Sequence, residues 1–143
     1  MIQPTKIADV LGGKKILHRS IKSVFDLEQA VEEGLPKGSL KNVASFVTSA
    51  RERFKFIYRV VPEGTYKRRR VHLNAEESER TERLARVIAT AHHVWDNEEK
   101  AKIFLISAHP FFNNRSPIEV AFTELGARQV EELLWSIFYG LPL

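Results

Sequence analysis

The chain has 143 residues, 43% of them hydrophobic and 28% charged, a composition that folds and fits one domain or two small units sharing a core. It has no cysteine, which excludes disulfides and thiolate chemistry, and no apolar run near the roughly 18 residues a membrane helix needs. The net charge of +4 hides a division, because residues 1–72 carry 15 Lys and Arg against 7 Asp and Glu, whereas residues 73–143 carry 7 against 11.

The first 20 residues are the least patterned; they lack a leader-like cationic start and apolar block, and Gly12 to Lys15 read as an exposed turn. Cytoplasm is the expected compartment. Residues 23–34 predict a helix capped by Ser23, with Phe25, Leu27, Ala30 and Val31 apolar and Gly34 ending it. A second helix restarts with Ser39 as a candidate cap and Leu40, Val43, Ala44 and Val47 at helical spacing.

Residues 51–60 predict a helix whose face is Phe54, Ile57 and Tyr58, followed by a tight turn near Val61 and a short helix over 62–70. Pro62 suits a first turn. Helix, turn and short basic helix match the outline of a helix-turn-helix, whose second member enters a major groove. In that reading Thr65, Tyr66 and Arg69 meet base edges or sugars, and Lys67, Arg68 and Arg70 neutralise phosphates.

The acidic side opens with Asn74 and Glu77, an N-x-x-E capping box, and a long amphipathic helix carrying Leu84, Val87, Ile88, Ala91, Val94 and Trp95. A further helix follows Asp96 or Asn97, with Ala101, Phe104 and Leu105 inward. His109-Pro110 begins a loop, and Ser116 to Glu119 start another helix that Gly126 is expected to stop after Ile118, Ala121, Phe122 and Leu125. Val130, Leu133, Leu134, Ile137 and Phe138 mark the last helix, ended by Gly140. No strand pattern occurs, so the fold class is all-α, divided into a basic part, 1–72, and an acidic helical part, 73–143.

Catalytic constellations are missing from the sequence. The adjacent His92 and His93 diverge by about a hundred degrees on a helix and cannot share a metal. No nucleophile elbow, phosphate-binding loop or dinucleotide fingerprint is present. The expectation is a binding protein rather than an enzyme, without metal or cofactor.

Several spaced motifs occur in order: Glu76-Glu77-Ser78-Glu79-Arg80, Arg83-Leu84-Ala85-Arg86-Val87, Asn114-Arg115-Ser116-Pro117 and Thr123-Glu124-Leu125-Gly126-Ala127-Arg128. Over about residues 62–140 the chain resembles the Xre/MbcA/ParS antitoxins. That family usually has glycine where Asn113-Asn114 stand, and Asn also visits left-handed conformations. The resemblance implies a type II antitoxin that pairs with a RES-domain toxin, an enzyme consuming NAD or transferring its ADP-ribose. It also implies that the C-terminal segment covers the toxin's NAD cleft and that the N-terminal part binds promoter DNA. The segment Phe138, Tyr139, Gly140, Leu141, Pro142 and Leu143 would be the plug, its apolar groups filling the cleft and its free carboxylate mimicking part of the dinucleotide. Arg115 and Arg128 are further candidate toxin contacts. A homodimer is expected, since paired half-sites require one. The alternative is a stand-alone helix-turn-helix regulator with a C-terminal dimerisation domain.

Overall fold

One long helix organises the molecule. The computed structural model describes residues 1–142, and α7, Ala75–Trp95, runs through their centre. Before it come α1 (Pro4–Val10), α2 (Gly13–Leu17), α3 (Val24–Glu33), α4 (Lys37–Ser45), α5 (Arg53–Val60) and α6 (Glu63–Arg68). After it come α8 (Glu98–Ile106), a 3-10 turn (Pro110–Phe112), α9 (Pro117–Val120) and α10 (Glu124–Tyr139). Among the described residues there is no strand; isolated bridges pair Pro36 with His72 and His109 with Arg115. The molecule is all-α, and no described helix is long and apolar enough to cross a membrane.

Helix α7 holds this place because its apolar period points in several directions. Leu84, Ala85, Val87, Ile88 and Ala91 are buried, and α1, α3, α4, α5, α8 and α10 all pack on it. Its buried polar residues are satisfied: Ser78 Oγ accepts from Leu35 N at 2.8 Å, and Thr81 and Thr90 donate to the carbonyls of Glu77 and Arg86. Both halves of the predicted capping box are present, Glu77 N donating to Asn74 and Asn74 N to the Glu77 carboxylate. Asn97, not Asp96, caps α8; Asp96 ends α7 at φ 49°.

Four expectations need correction. Residues 4–10 and 13–17 are helical, so Gly13 to Lys15 open a helix rather than a turn, and Ile2, Ile7, Val10, Leu11 and Leu17 join the core; helices of 7 and 5 residues are too short to show a period. Ser39 is not a cap: α4 starts two residues earlier, after Pro36, and the Ser39 hydroxyl lies buried inside it. On α5 the inward face is Phe56, Ile57 and Val60, while the exposed Phe54 and half-buried Tyr58 form an aromatic group with the buried Tyr66.

The fourth concerns Gly126, which does not stop a helix. Helix α9 is a single turn ending at Val120, and Thr123 caps α10 by accepting from Gly126 N at 3.0 Å. A Cβ on Gly126 would stand 1.9 Å from the Val120 carbonyl oxygen. Glycine is required there by the close approach of α9 to the first turn of α10, and Leu125 beside it faces out.

Candidate functional site

Helices α5 and α6 form the predicted helix-turn-helix pair. Val61 ends α5 at φ −132° and ψ 120°, an extended conformation that suits a β-branched residue, and Pro62 leads into α6. The turn therefore needs no glycine. Backbone bonds from Lys37 N to Val71 O and from Leu73 N to Leu35 O, both 2.8 Å, tie the chain after α6 to the linker before α4. Gly34 permits this, because at φ 101° its missing Cβ would lie 2.2 Å from the Leu73 carbonyl oxygen.

The six residues expected to meet DNA separate into two sets. Tyr66 is buried, with the Lys37 Nζ 4.2 Å from its ring centre, and burial raises its pKa above the ordinary phenol value. Arg69 turns inward and grips Glu77 through Nε and Nη2, each at 3.0 Å. The remainder look outward. Thr65 is half-buried and accepts from Arg68, Lys67 pairs with Glu63 at 2.8 Å, and Arg68 and Arg70 are exposed. Lys41, Lys55 and Arg59 on α4 and α5 are further exposed cations that the sequence pattern did not single out, while Lys37 donates to Arg69 O at 3.0 Å. Lys41 lies 5.8 Å from the Phe54 ring centre, and Arg59 4.4 Å from that of Phe122. The i, i+4 spacing of Lys37 with Lys41 and of Lys55 with Arg59 was the available signal.

The far end of α10 is the second surface. Its last turn closes with Gly140 at φ 65°, Gly140 N donating to Ile137 O and Leu141 N to Ser136 O, the paired bonds of a Schellman motif. Phe138, Tyr139 and Leu141 remain 45%, 66% and 56% exposed. Trp135 stacks on Tyr139 at 6.0 Å and meets Phe138 edge-on at 5.5 Å, while His93 lies 5.1 Å from Phe138. The two adjacent histidines thus diverge, His92 turning instead to Phe46 at 5.0 Å. Arg128 lines an open groove of about 730 Å³ with Trp135, Tyr139 and Leu141. Gly140 and Pro142 are exposed at the tip; Leu143 lies outside the described residues. Arg115 stands elsewhere, beside His109, with its Nε donating to Phe112 O.

A charged cluster fixes α10 against α7. Arg86 reaches Glu131 at 2.7 Å and Glu82 at 3.0 Å, and Arg83 reaches Glu124 at 3.1 Å. Burial pushes the carboxyls of Glu82 and Glu131 above their ordinary values, with Arg86 opposing it.

A helix-turn-helix precedes the long shared helix, and a compact helical module with an apolar tip follows it. Comparison with protein families agrees: residues 26–86 match the antitoxin Xre-like helix-turn-helix domain, and residues 90–140 match the antitoxin Xre/MbcA/ParS C-terminal toxin-binding domain. The chain belongs to the Xre/MbcA/ParS antitoxin family. No curated protein sequence matches it significantly.

Proposed function

We propose that this antitoxin neutralises a RES-domain, NAD-consuming toxin by laying the end of α10 and the residues after it over the toxin's nucleotide cleft. Its helix-turn-helix would bind operator DNA as a homodimer and repress its own operon. The observation that carries the inhibitory reading is the solvent-facing aromatic tip. Large side chains left exposed together mark an interaction site, and here Phe138, Tyr139 and Leu141 are held by a closed Schellman turn. A tip already ordered loses little conformational freedom on insertion, which favours tight binding. The aromatic rings suit a pocket that accommodates a nicotinamide or adenine ring.

The test is to purify the chain with the product of the neighbouring gene and to measure NAD turnover. The full chain is expected to silence the toxin, and a chain lacking residues 139–143 is expected to restore activity while the two proteins still co-purify. Full inhibition by the shortened chain refutes the plug.

A further inference from the structure

The outer face of α6 carries an acid among its cations. Glu63, Gly64, Lys67 and Arg68 are exposed there, whereas Tyr66 is buried and Arg69 turns to Glu77. Glu63 and Lys67, one turn apart, form an ion pair at 2.8 Å with side chains 57% and 64% exposed. A carboxylate repels phosphates, so Glu63 works against binding of α6 to a nucleic acid backbone as such. Between the pair lies Gly64, in ordinary helical backbone, where an added Cβ would meet only Arg68 Nη1 at 3.6 Å, a normal contact. Gly34 and Gly126 are each required by a carbonyl oxygen of this chain. Gly64 is required by nothing in it, although alanine is the better helix former. A missing side chain on an exposed helix face lets another molecule come close to the backbone.

We propose that Glu63 and Lys67 together read one C·G base pair, the carboxylate on cytosine and the ammonium on guanine, with Gly64 the point of closest approach. This rests on the reading that α5 and α6 bind operator DNA with α6 in the major groove, and it names the base pair that α6 selects. In that groove a C·G pair presents the cytosine N4 amino donor beside the guanine O6 acceptor, the two joined to each other at about 2.9 Å. The Glu63 oxygen and the Lys67 nitrogen, 2.8 Å apart, offer an acceptor and a donor at matching spacing. Guanine N7, next to O6, gives the ammonium a second acceptor. A T·A pair also offers a donor beside an acceptor, but adenine N7 then faces the carboxylate with a second acceptor. On its other side the thymine methyl stands where guanine N7 would serve Lys67. The pair is thus matched to C·G and penalised by T·A, and an acid that is a liability toward phosphates becomes a means of discrimination.

The test selects duplexes from a library with a randomised core, using the full chain, and then measures affinities by fluorescence anisotropy. Wild-type sites are expected to share a C·G position at which T·A lowers affinity by about tenfold, the scale of one mismatched pair. Glu63→Ala is expected to bind the C·G and T·A duplexes about equally. Gly64→Ala is expected to melt at or above the wild-type temperature, yet to bind the selected duplex about tenfold more weakly. Wild-type sites without a shared C·G position overturn the inference and leave DNA binding standing. So does a Glu63→Ala chain that keeps the preference and weakens on every duplex alike, since the acid then serves only the helix. A Gly64→Ala chain with wild-type affinity does the same. If the full chain retains no duplex from the library, the DNA-binding reading falls and this inference with it.

Discussion

Glu77 shows how much one buried carboxylate settles. It accepts from the Asn74 backbone N–H, closing the start of α7, and from both donor nitrogens of Arg69, so it also fixes where α6 ends. Burial pushes its pKa up, but the Arg69 guanidinium and the Asn74 N–H together bring it below the ordinary glutamate value. A carboxyl depressed in the folded state stabilises above its unfolded pKa, and that stabilisation is lost as pH falls through the folded value. Glu77→Gln keeps the shape and a capping oxygen but removes the charge. At neutral pH it is expected to cost about 1–3 kcal/mol. The gap from wild type should narrow as pH drops below the ordinary glutamate range. Urea denaturation across a pH series measures this, and a gap independent of pH contradicts it. The cap was legible because Asn74 and Glu77 are three residues apart in sequence. The Arg69 clamp was not, since its partner lies eight residues on, across a change of direction that spacing does not encode. Tyr66 was misplaced for a related reason: α6 has six residues, too few to show which face is inward.

At the scale of elements, the long pieces were readable and the short ones were not. Helix α7 and the body of α10 announce themselves by apolar period and caps, whereas α1 and α2 contribute Ile7, Leu11 and Leu17 to the core from segments too short for periodicity. Gly126 resembles a helix stop in sequence, because the nearness of α9 that requires it is a tertiary fact. The union of α7 with α10 was equally hidden. Arg86 is the hub, with Glu82 on its own helix and Glu131 and Glu124 on the other. Glu82 and Glu131 have folded pKa values above their unfolded ones, so their contribution is greatest in acid and is lost as pH rises through the folded values, opposite in sign to Glu77. Arg86 is what makes their ionisation tolerable at neutral pH. Arg86→Met strands two half-buried carboxylates and is expected to cost about 3–5 kcal/mol. Glu82→Gln removes a burial penalty, leaves Glu131 and Glu124 facing the guanidinium, and should be nearly neutral. Thermal melts of the two variants decide it; equal losses would mean that the cluster acts as independent pairs.

Across the whole molecule, the division of charge seen in sequence becomes a division in space, though not along the same line. Acids from both halves gather around one groove of about 490 Å³, where Glu28 and Glu32 of α3 face Glu76, Glu79 and Glu82 of α7 over an apolar floor that includes Leu27. The exposed cations lie instead on α4, α5, α6 and the residues after it, Lys41, Lys55, Arg59, Arg68 and Arg70 among them. Such a molecule approaches a polyanion basic side first. This separates the arginines of the basic run by role. In the proposed DNA binding, the exposed Arg68 and Arg70 release counterions, so each alanine substitution is expected to weaken operator binding across all sequences. Each should also lower the slope of log affinity against log salt by about 1. Arg69 is committed to Glu77, so Arg69→Ala should lower the melting temperature while leaving that slope unchanged. Fluorescence anisotropy on an operator duplex from 50 to 200 mM salt, roughly the range over which phosphate contacts weigh most, reads all three variants. If Arg69→Ala flattens the slope as Arg68→Ala does, the ion pair opens on DNA and α6 meets its target in another conformation; if none of the three changes it, the basic surface does not carry the contact.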